Sequence, residues 1–177
     1  MDYERNLKEA VLWKPAQDGK TQCYLCNWRC LIAQDNTGFC RVRKNIHGKR
    51  DSLNYNHVCS ANPDPIEKKP LFHFQPGSKT FSIAAVGCNF QCEFCQNWQI
   101  SQVLESEIEG EALDPEWIVT AAKKTLCSSI AYTYTEPTIF MELCNDTARI
   151  AKAQGLKNIF VSNGYMTPEA IDYARDF

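Results

Sequence analysis

The sequence predicts an α/β protein: a partial (βα) barrel of three parallel βα units that follows an N-terminal cysteine-rich extension. Two observations carry this prediction. From Thr80 onward, short apolar runs alternate with helix-like segments that begin at proline. Ten cysteines are present, and seven of them fall into two tight groups, one on each side of a proline-rich stretch. Alternating strands and helices imply parallel pairing with right-handed crossovers.

Three strands are predicted from apolar runs that end at turn residues, at 81–86, 129–134 and 158–161. A helix should begin at Pro115 with Asp114 as its N-cap and run to about residue 126. A second should begin at Pro137 and end before Gly155, and a third should follow Thr167. The order is therefore βαβαβα.

The change in sequence pattern at residue 80 divides the chain into an N-terminal extension at 1–79 and the βα units at 80–177. Prolines 63, 65, 70 and 76 exclude a regular helix between 51 and 80, so that stretch is expected to be an extended connector. Residues 7–12 resemble a short helix.

Composition narrows the function classes. The net charge of −2 over 177 residues gives no general attraction to nucleic acid or to anionic membranes. No transmembrane run or signal-peptide pattern is present, so a cytoplasmic location is expected. In a reducing compartment, closely spaced cysteines indicate metal binding or catalysis rather than disulfides.

The second cysteine group, Cys88, Cys92 and Cys95, has the spacing C-x3-C-x2-C directly after a predicted strand. Thiolates hold iron–sulfur clusters, and three of them leave one iron of a [4Fe–4S] cluster without a protein ligand. An open coordination position allows a metal site to act on a bound molecule. The alternatives are a zinc knuckle that borrows a fourth ligand, or cysteines that are simply buried.

The spacing, with an aromatic residue at Phe94, resembles the signature of radical SAM enzymes. The resemblance implies that the open iron binds S-adenosyl-L-methionine. It also implies reductive cleavage to methionine and a 5′-deoxyadenosyl radical, which abstracts hydrogen from an unknown substrate. Phe94 would lie against the adenine, and Asn97 is a further candidate for cofactor binding. The three strands would be half of a radical SAM (βα)6 core.

Two later strand ends resemble cofactor-binding segments of the same family. Glu136 matches the acidic residue of a Gly-Gly-Glu stretch that meets the cofactor's amino group, although Tyr134 and Thr135 replace both glycines. Ser162 and Asn163 resemble a Thr-Asn-Gly stretch of glycyl-radical activating enzymes. The plainer alternatives are a first-turn helix residue for Glu136 and an ordinary turn at Asn163.

The first cysteine group has the spacing C-x2-C-x3-C-x9-C. Four thiolates can close a tetrahedral site without an open position. Zinc and a second [4Fe–4S] cluster both accept four thiolates, and the absence of any metal is the third option. The residues concerned are Cys23, Cys26, Cys30 and Cys40.

The nearest resemblance, over residues 20–177, is to enzymes similar to pyruvate formate-lyase activating enzyme within the AmmeMemoRadiSam group. It rests on 23–26, 38–43, 64–71 and 87–102. It implies an electron donor such as flavodoxin or ferredoxin, whereas an activase-like protein substrate is an analogy only. Because only three βα units are present, we expect an N-terminal fragment that is inactive alone, with the other half of the barrel supplied elsewhere. The competing classes are a non-enzymatic iron–sulfur electron carrier and a zinc-binding interaction module.

Overall fold

The computed structural model describes residues 7–177 and is a mixed α/β structure. Within that range it contains eleven strands and four α-helices. The strands are β1 (Lys8–Glu9), β2 (Trp13–Pro15), β3 (Thr21–Cys23), β4 (Leu31–Ile32), β5 (Arg43–Ile46), β6 (Lys49–Ser52), β7 (His57–Pro65), β8 (Lys79–Ala85), β9 (Glu111–Ala112), β10 (Ser129–Tyr132) and β11 (Lys157–Phe160). The helices are α1 (Trp98–Ser101), α2 (Pro115–Lys124), α3 (Met141–Ala153) and α4 (Pro168–Ala174).

The main sheet has five strands in the order β11-β10-β8-β7-β9. Strand β10 pairs in parallel with both β8 and β11, so the three predicted strands are confirmed as a parallel set. Helices α2 and α3 follow β8 and β10 along the chain, as the alternation predicted. The carboxyl ends of the three parallel strands therefore meet at one edge of the sheet, where α/β proteins bind ligands.

The helix starts follow the capping residues identified in the sequence. The Asp114 side chain accepts a hydrogen bond from the Trp117 amide at 2.7 Å, and Thr167 caps α4 by accepting from Ala170 at 3.1 Å. Between Glu136 and α3, residues 137–140 form a 3-10 turn rather than an α-helix. Each cap satisfies amide groups that the first turn leaves without an intrahelical partner.

The proline-rich stretch differs from the expected connector, because residues 57–65 form β7, which pairs antiparallel with β8. Strand β9 pairs with β7 only at His57 and Val58. Pro63 and Pro65 lie beyond that pairing, on the open side of the strand, where a missing N–H breaks no ladder hydrogen bond. Residues 7–12 are not helical either, since β1 lies there and Leu12 has a positive φ of 56°.

The N-terminal part forms two small antiparallel sheets, β2-β3-β4 and β1-β6-β5. A buried ion pair joins the second of these sheets to α3. Arg43 on β5 donates to both carboxylate oxygens of Glu142 on α3, at 2.6 and 2.7 Å. The Val11 amide donates to the same carboxylate at 2.7 Å.

In the part of the chain that the structure describes, none of the helices combines the length and the apolar character that crossing a membrane requires.

Candidate functional site

Gly87 sets the direction of the loop that leaves the end of β8. Its φ is 100°, and a Cβ atom there would lie 2.7 Å from Val42 Cγ1, so the position requires glycine. The Gly87 amide donates to the Ile100 carbonyl at 2.8 Å, and Gln102 Nε2 donates to the Phe90 carbonyl at 2.8 Å. These bonds fold residues 88–97 into a compact loop between β8 and α1.

The thiols of Cys88, Cys92 and Cys95 are all half-buried on this loop. The Phe90 amide donates to Cys88 Sγ at 3.4 Å, and the Cys95 thiol donates to Ser101 Oγ at 3.7 Å. Burial, together with the nearby Glu136, Cys92 and Cys95 groups, raises the pKa of the Cys88 thiol to about 11, although the hydrogen bond from the Phe90 amide opposes the increase. The three thiols are thus close enough to influence one another.

Across residues 7–177, no group of three or more His, Cys, Asp or Glu side chains is arranged to hold a single metal ion. An iron–sulfur cluster makes a different demand, because each thiolate binds a different iron. Three half-buried thiols on one loop match that donor set, with one iron left for an external ligand.

A cleft of about 620 Å³ opens beside this loop at the carboxyl ends of the parallel strands. Its size falls in the range of about 300–1,000 Å³ typical of small-molecule sites. Asn97 lies on its wall and donates to the Tyr134 carbonyl at 2.9 Å. Phe94, on the same loop, is 90% exposed and free to cover a ligand. The lining residues are Lys68, Lys69, Gln96, Asn97, Thr133, Tyr134, Thr135 and Val161.

Glu136 is buried, and its carboxylate is surrounded by donors of the protein itself. One oxygen accepts from the Thr138 amide at 3.0 Å, from the Thr138 hydroxyl and from Ser162 Oγ at 2.8 Å. The other accepts from the Asn163 amide at 2.7 Å. Glu136 therefore ties the residues that follow β10 to those that follow β11, and it brings Ser162 and Asn163 to the edge of the site.

Asn89 is a residue that the sequence reasoning missed, although it directly follows Cys88. Its side chain is fully buried, and its Oδ1 accepts from Asn163 Nδ2 at 2.8 Å. Within residues 7–177 its Nδ2 has no hydrogen-bond partner. Asn89 thus links the cysteine loop to the end of β11.

A second group missed from the sequence centres on Asp64 at the end of β7. Asp64 accepts from Lys68 Nζ and Lys69 Nζ, each at 2.9 Å, and from the Tyr134 hydroxyl. Burial raises the pKa of Asp64, but these hydrogen bonds outweigh it and hold the pKa well below its usual value. Tyr134 has φ 67°, a conformation that favours the glycine present in the related segment.

The first cysteine group also converges. Cys23, Cys26, Cys30 and Cys40 line one small space of about 10 Å³. Burial raises the pKa of Cys26, and Cys23 and Cys30 add to the increase. Burial likewise raises the pKa of Cys40 to about 12. The four thiols are therefore neighbours in a largely dry environment.

This cysteine group packs against the loops of the main site. Cys26 forms an isolated antiparallel bridge with Met166, and Thr167 Oγ1 donates to the Tyr24 carbonyl at 2.7 Å. Trp28 Nε1 donates to the Asn89 carbonyl at 2.8 Å. The two cysteine groups are at least 48 residues apart in sequence. A few hydrogen bonds nevertheless connect the segment that carries the first group to the loops around the second.

Comparison with known proteins gives one family match and two relatives. The model of the family described as "Radical SAM superfamily" matches residues 82–177. The chain is 44% identical over 165 residues to "Uncharacterized protein MJ0808" of Methanocaldococcus jannaschii, covering 93% of this chain and 50% of that protein. It is 33% identical over 82 residues to "Uncharacterized protein MJ0674" of the same organism, covering 46% of this chain and 19% of that protein.

The chain therefore spans about half the length of the first of these relatives and less of the second. No solved structure matches the chain.

Proposed function

Because the chain belongs to the radical SAM superfamily, we propose that it is part of an enzyme that uses a [4Fe–4S] cluster and S-adenosyl-L-methionine. The observation that carries the proposal is the position of the Cys88, Cys92 and Cys95 loop. It leaves the buried end of β8 and borders the 620 Å³ cleft at the ends of the parallel strands. Ligands of α/β proteins bind at such edges.

We propose that Cys88, Cys92 and Cys95 hold the cluster. When bound, the cluster and S-adenosyl-L-methionine supply one-electron cleavage of the sulfonium, which yields methionine and a 5′-deoxyadenosyl radical. The chain's own residues bind and orient these groups and limit the access of water. The buried β8 behind Cys88 and the Gly87 turn keep the loop in a fixed direction.

Some of the candidate residues are proposed to contact the cofactor, and others are proposed to position those residues. Phe94, largely exposed on the loop, would cover the adenine, and Asn97 would fix the loop to the Tyr134 backbone. Ser162 and Asn163 would meet polar groups of the cofactor at the end of β11. Glu136 already accepts four hydrogen bonds from the protein, so we propose that it acts by positioning Ser162 and Asn163.

Several finer predictions belong to the same proposal. They are the AmmeMemoRadiSam grouping, the activase-like role, the half-barrel architecture with the remaining strands supplied elsewhere, and the division at residues 79 and 80. The reduction needs an electron donor, such as flavodoxin or ferredoxin. The hydrogen-donating substrate stays open, with a protein substrate as an analogy.

The test is a titration of the anaerobically reconstituted protein with S-adenosyl-L-methionine. The reduced cluster's electron paramagnetic resonance signal should change on addition, because an iron without a protein ligand binds the added molecule. Cys92→Ala should lose the cluster, whereas Cys59→Ser should keep it. Cys59 is a suitable control because its thiol donates to the Ala84 carbonyl at 3.3 Å, a bond that serine can keep.

Three results would count against the proposal. A full complement of iron and sulfide in Cys92→Ala would remove the site assignment. A cluster whose spectrum ignores S-adenosyl-L-methionine would indicate an electron carrier instead. A protein that binds zinc and no iron would indicate a zinc-binding module.

A further inference from the structure

Two arginine side chains are buried beside the first cysteine group. Arg43 is 1% exposed and Arg50 is 0% exposed, and both line the small space between the four thiols. A guanidinium is charged at all ordinary pH values, so each side chain brings a full positive charge into the interior. Buried charges are normally paired with an opposite charge.

The two arginines differ in their partners. Arg43 is paired with Glu142, which balances its charge. Among the described residues, 7–177, the Arg50 guanidinium donates through Nη2 to the Thr21 carbonyl, at 3.1 Å, and to the Thr21 hydroxyl, at 2.7 Å. No carboxylate of residues 7–177 forms an ion pair with Arg50, and within that range its Nε and Nη1 have no hydrogen-bond partner. These unsatisfied donors belong to a side chain that lines the thiol-bounded space.

A buried charge that lacks a partner strongly destabilises the folded state. Neutral thiols cannot balance Arg50. Thiolates can, and a coordinating metal deprotonates its cysteine ligands. Four thiolates around one divalent ion carry a net charge of −2, so such a site would offset the charge of Arg50.

We infer that Cys23, Cys26, Cys30 and Cys40 bind one zinc ion as a closed structural site, with Arg50 balancing the charge of the thiolates. We favour zinc over a second cluster because the space between the thiols is only about 10 Å³, so one ion requires smaller displacements of the thiols than the eight atoms of a [4Fe–4S] cubane. The thiols as they stand are not drawn in around an ion. Binding closes them by rotation about the cysteine side-chain torsions, to Zn–S distances of about 2.3 Å.

The position of this zinc site gives it a role. Trp28 reaches the Asn89 carbonyl in the loop of the second cysteine group, and Tyr24 accepts from Thr167 at the start of α4. Ordering residues 23–30 around zinc therefore fixes two loops that border the cleft. The ion has no open position and takes no part in chemistry there.

The experiment uses a variant in which Cys88, Cys92 and Cys95 are all alanine, so that only the first cysteine group can bind metal. Purified without oxygen, it should contain one zinc per chain and no iron. Adding Cys40→Ser to this variant should lower the zinc content at least tenfold, whereas adding Cys59→Ser should leave it unchanged. These readouts need no activity and stand whether or not the proposed enzymatic function is correct.

X-ray absorption at the zinc edge of the unmutated, iron-loaded protein provides a second measurement that does not depend on variants folding. Four sulfur neighbours at about 2.3 Å are expected. Iron with sulfide on the first cysteine group would overturn the inference in favour of a second cluster. Zinc that survives Cys40→Ser, or the absence of zinc from both proteins, would overturn it as well.

Discussion

The indole Nε1 of Trp28 donates a hydrogen bond to the backbone carbonyl of Asn89 at 2.8 Å, and the bond joins the two cysteine-rich loops. Trp28 also stacks on Phe39, with ring centroids 4.2 Å apart. The hydrogen bond and the stacking together fix the position of the indole. Asn89 follows Cys88 in the chain, and its side-chain oxygen accepts a hydrogen bond from Asn163 Nδ2. The order of one cysteine group therefore affects the other.

Trp28→Phe tests this link, because phenylalanine keeps the stacking surface and loses the N–H donor. One neutral hydrogen bond contributes about 1 kcal/mol, so the loop should open about fivefold more often. Iron should be lost to a chelator correspondingly faster, with zinc retention unchanged. Trp117→Phe, on the exposed side of α2, is the matched control and should match the unmutated protein. Equal iron loss in both variants would contradict a role for this bond.

Glu136→Gln separates a positioning role from direct cofactor binding. The amide NH2 of glutamine would face at least one of the donors now bonded to the carboxylate, from Thr138, Ser162 and Asn163. An unsatisfied buried donor costs about 1–3 kcal/mol, so the free energy of unfolding should fall by that amount. Urea denaturation of the cofactor-free protein measures it, with exposed Glu93→Gln as control. Unchanged stability together with weaker S-adenosyl-L-methionine binding would favour direct contact instead.

The parallel strands and their helices could be predicted because each signal is local. Apolar runs mark β8, β10 and β11, and a proline after an N-cap marks the helix starts. Strand β7 could not be predicted in this way. Its prolines argue against a strand unless one already knows that they face an open edge, which depends on how far β9 extends.

The position of the candidate site follows from the sequence to a similar degree, whereas the roles of its residues remain predictions. The cysteine spacing locates both groups without a structure, since ligands close in sequence are close in space. Asn89 and Asp64 lie in segments that carry the family resemblance, and Arg50 lies in none of them. The roles of all three depend on contacts across tens of residues. Arg50 in particular belongs to a basic stretch that resembles an ordinary solvated surface, yet it is fully buried. Burial of a charge is a tertiary property, and local sequence does not encode it.

Asp64→Asn should lower the free energy of unfolding at neutral pH. It should also make that free energy change less with pH in the acidic range. Lys69 is buried and would lose its counter-ion, at a cost of about 3–5 kcal/mol. Because the pKa of Asp64 is lowered on folding, its contribution is present above its unfolded pKa of about 3.9 and disappears as pH falls through the folded pKa. The stability difference between the two proteins should therefore narrow in acid below that unfolded value.

Urea denaturation from neutral pH down to about pH 2 checks this prediction, with Asp172→Asn as the control. Asp172 pairs with Arg175 on the surface, where both side chains are about 70% exposed, so its loss should change little. A difference between Asp64→Asn and the unmutated protein that stays constant with pH would show that folding does not lower the pKa of Asp64.

Arg50→Gln tests the charge balance proposed at the zinc site. Glutamine can still donate to Thr21 but carries no charge, so the tetrathiolate would lose the cation that offsets it. Hydrogen bonds to charged groups contribute about 1.5–3 kcal/mol, which predicts at least tenfold faster release of zinc to a chelator. Arg175→Gln, at an exposed position, should release zinc at the normal rate. If the four thiols bound no metal, Arg50→Gln would instead remove an unbalanced buried charge and stabilise the protein. If both proteins are purified without zinc and Arg50→Gln is the more stable, the site is refuted, and an unaltered release rate would refute the role of Arg50.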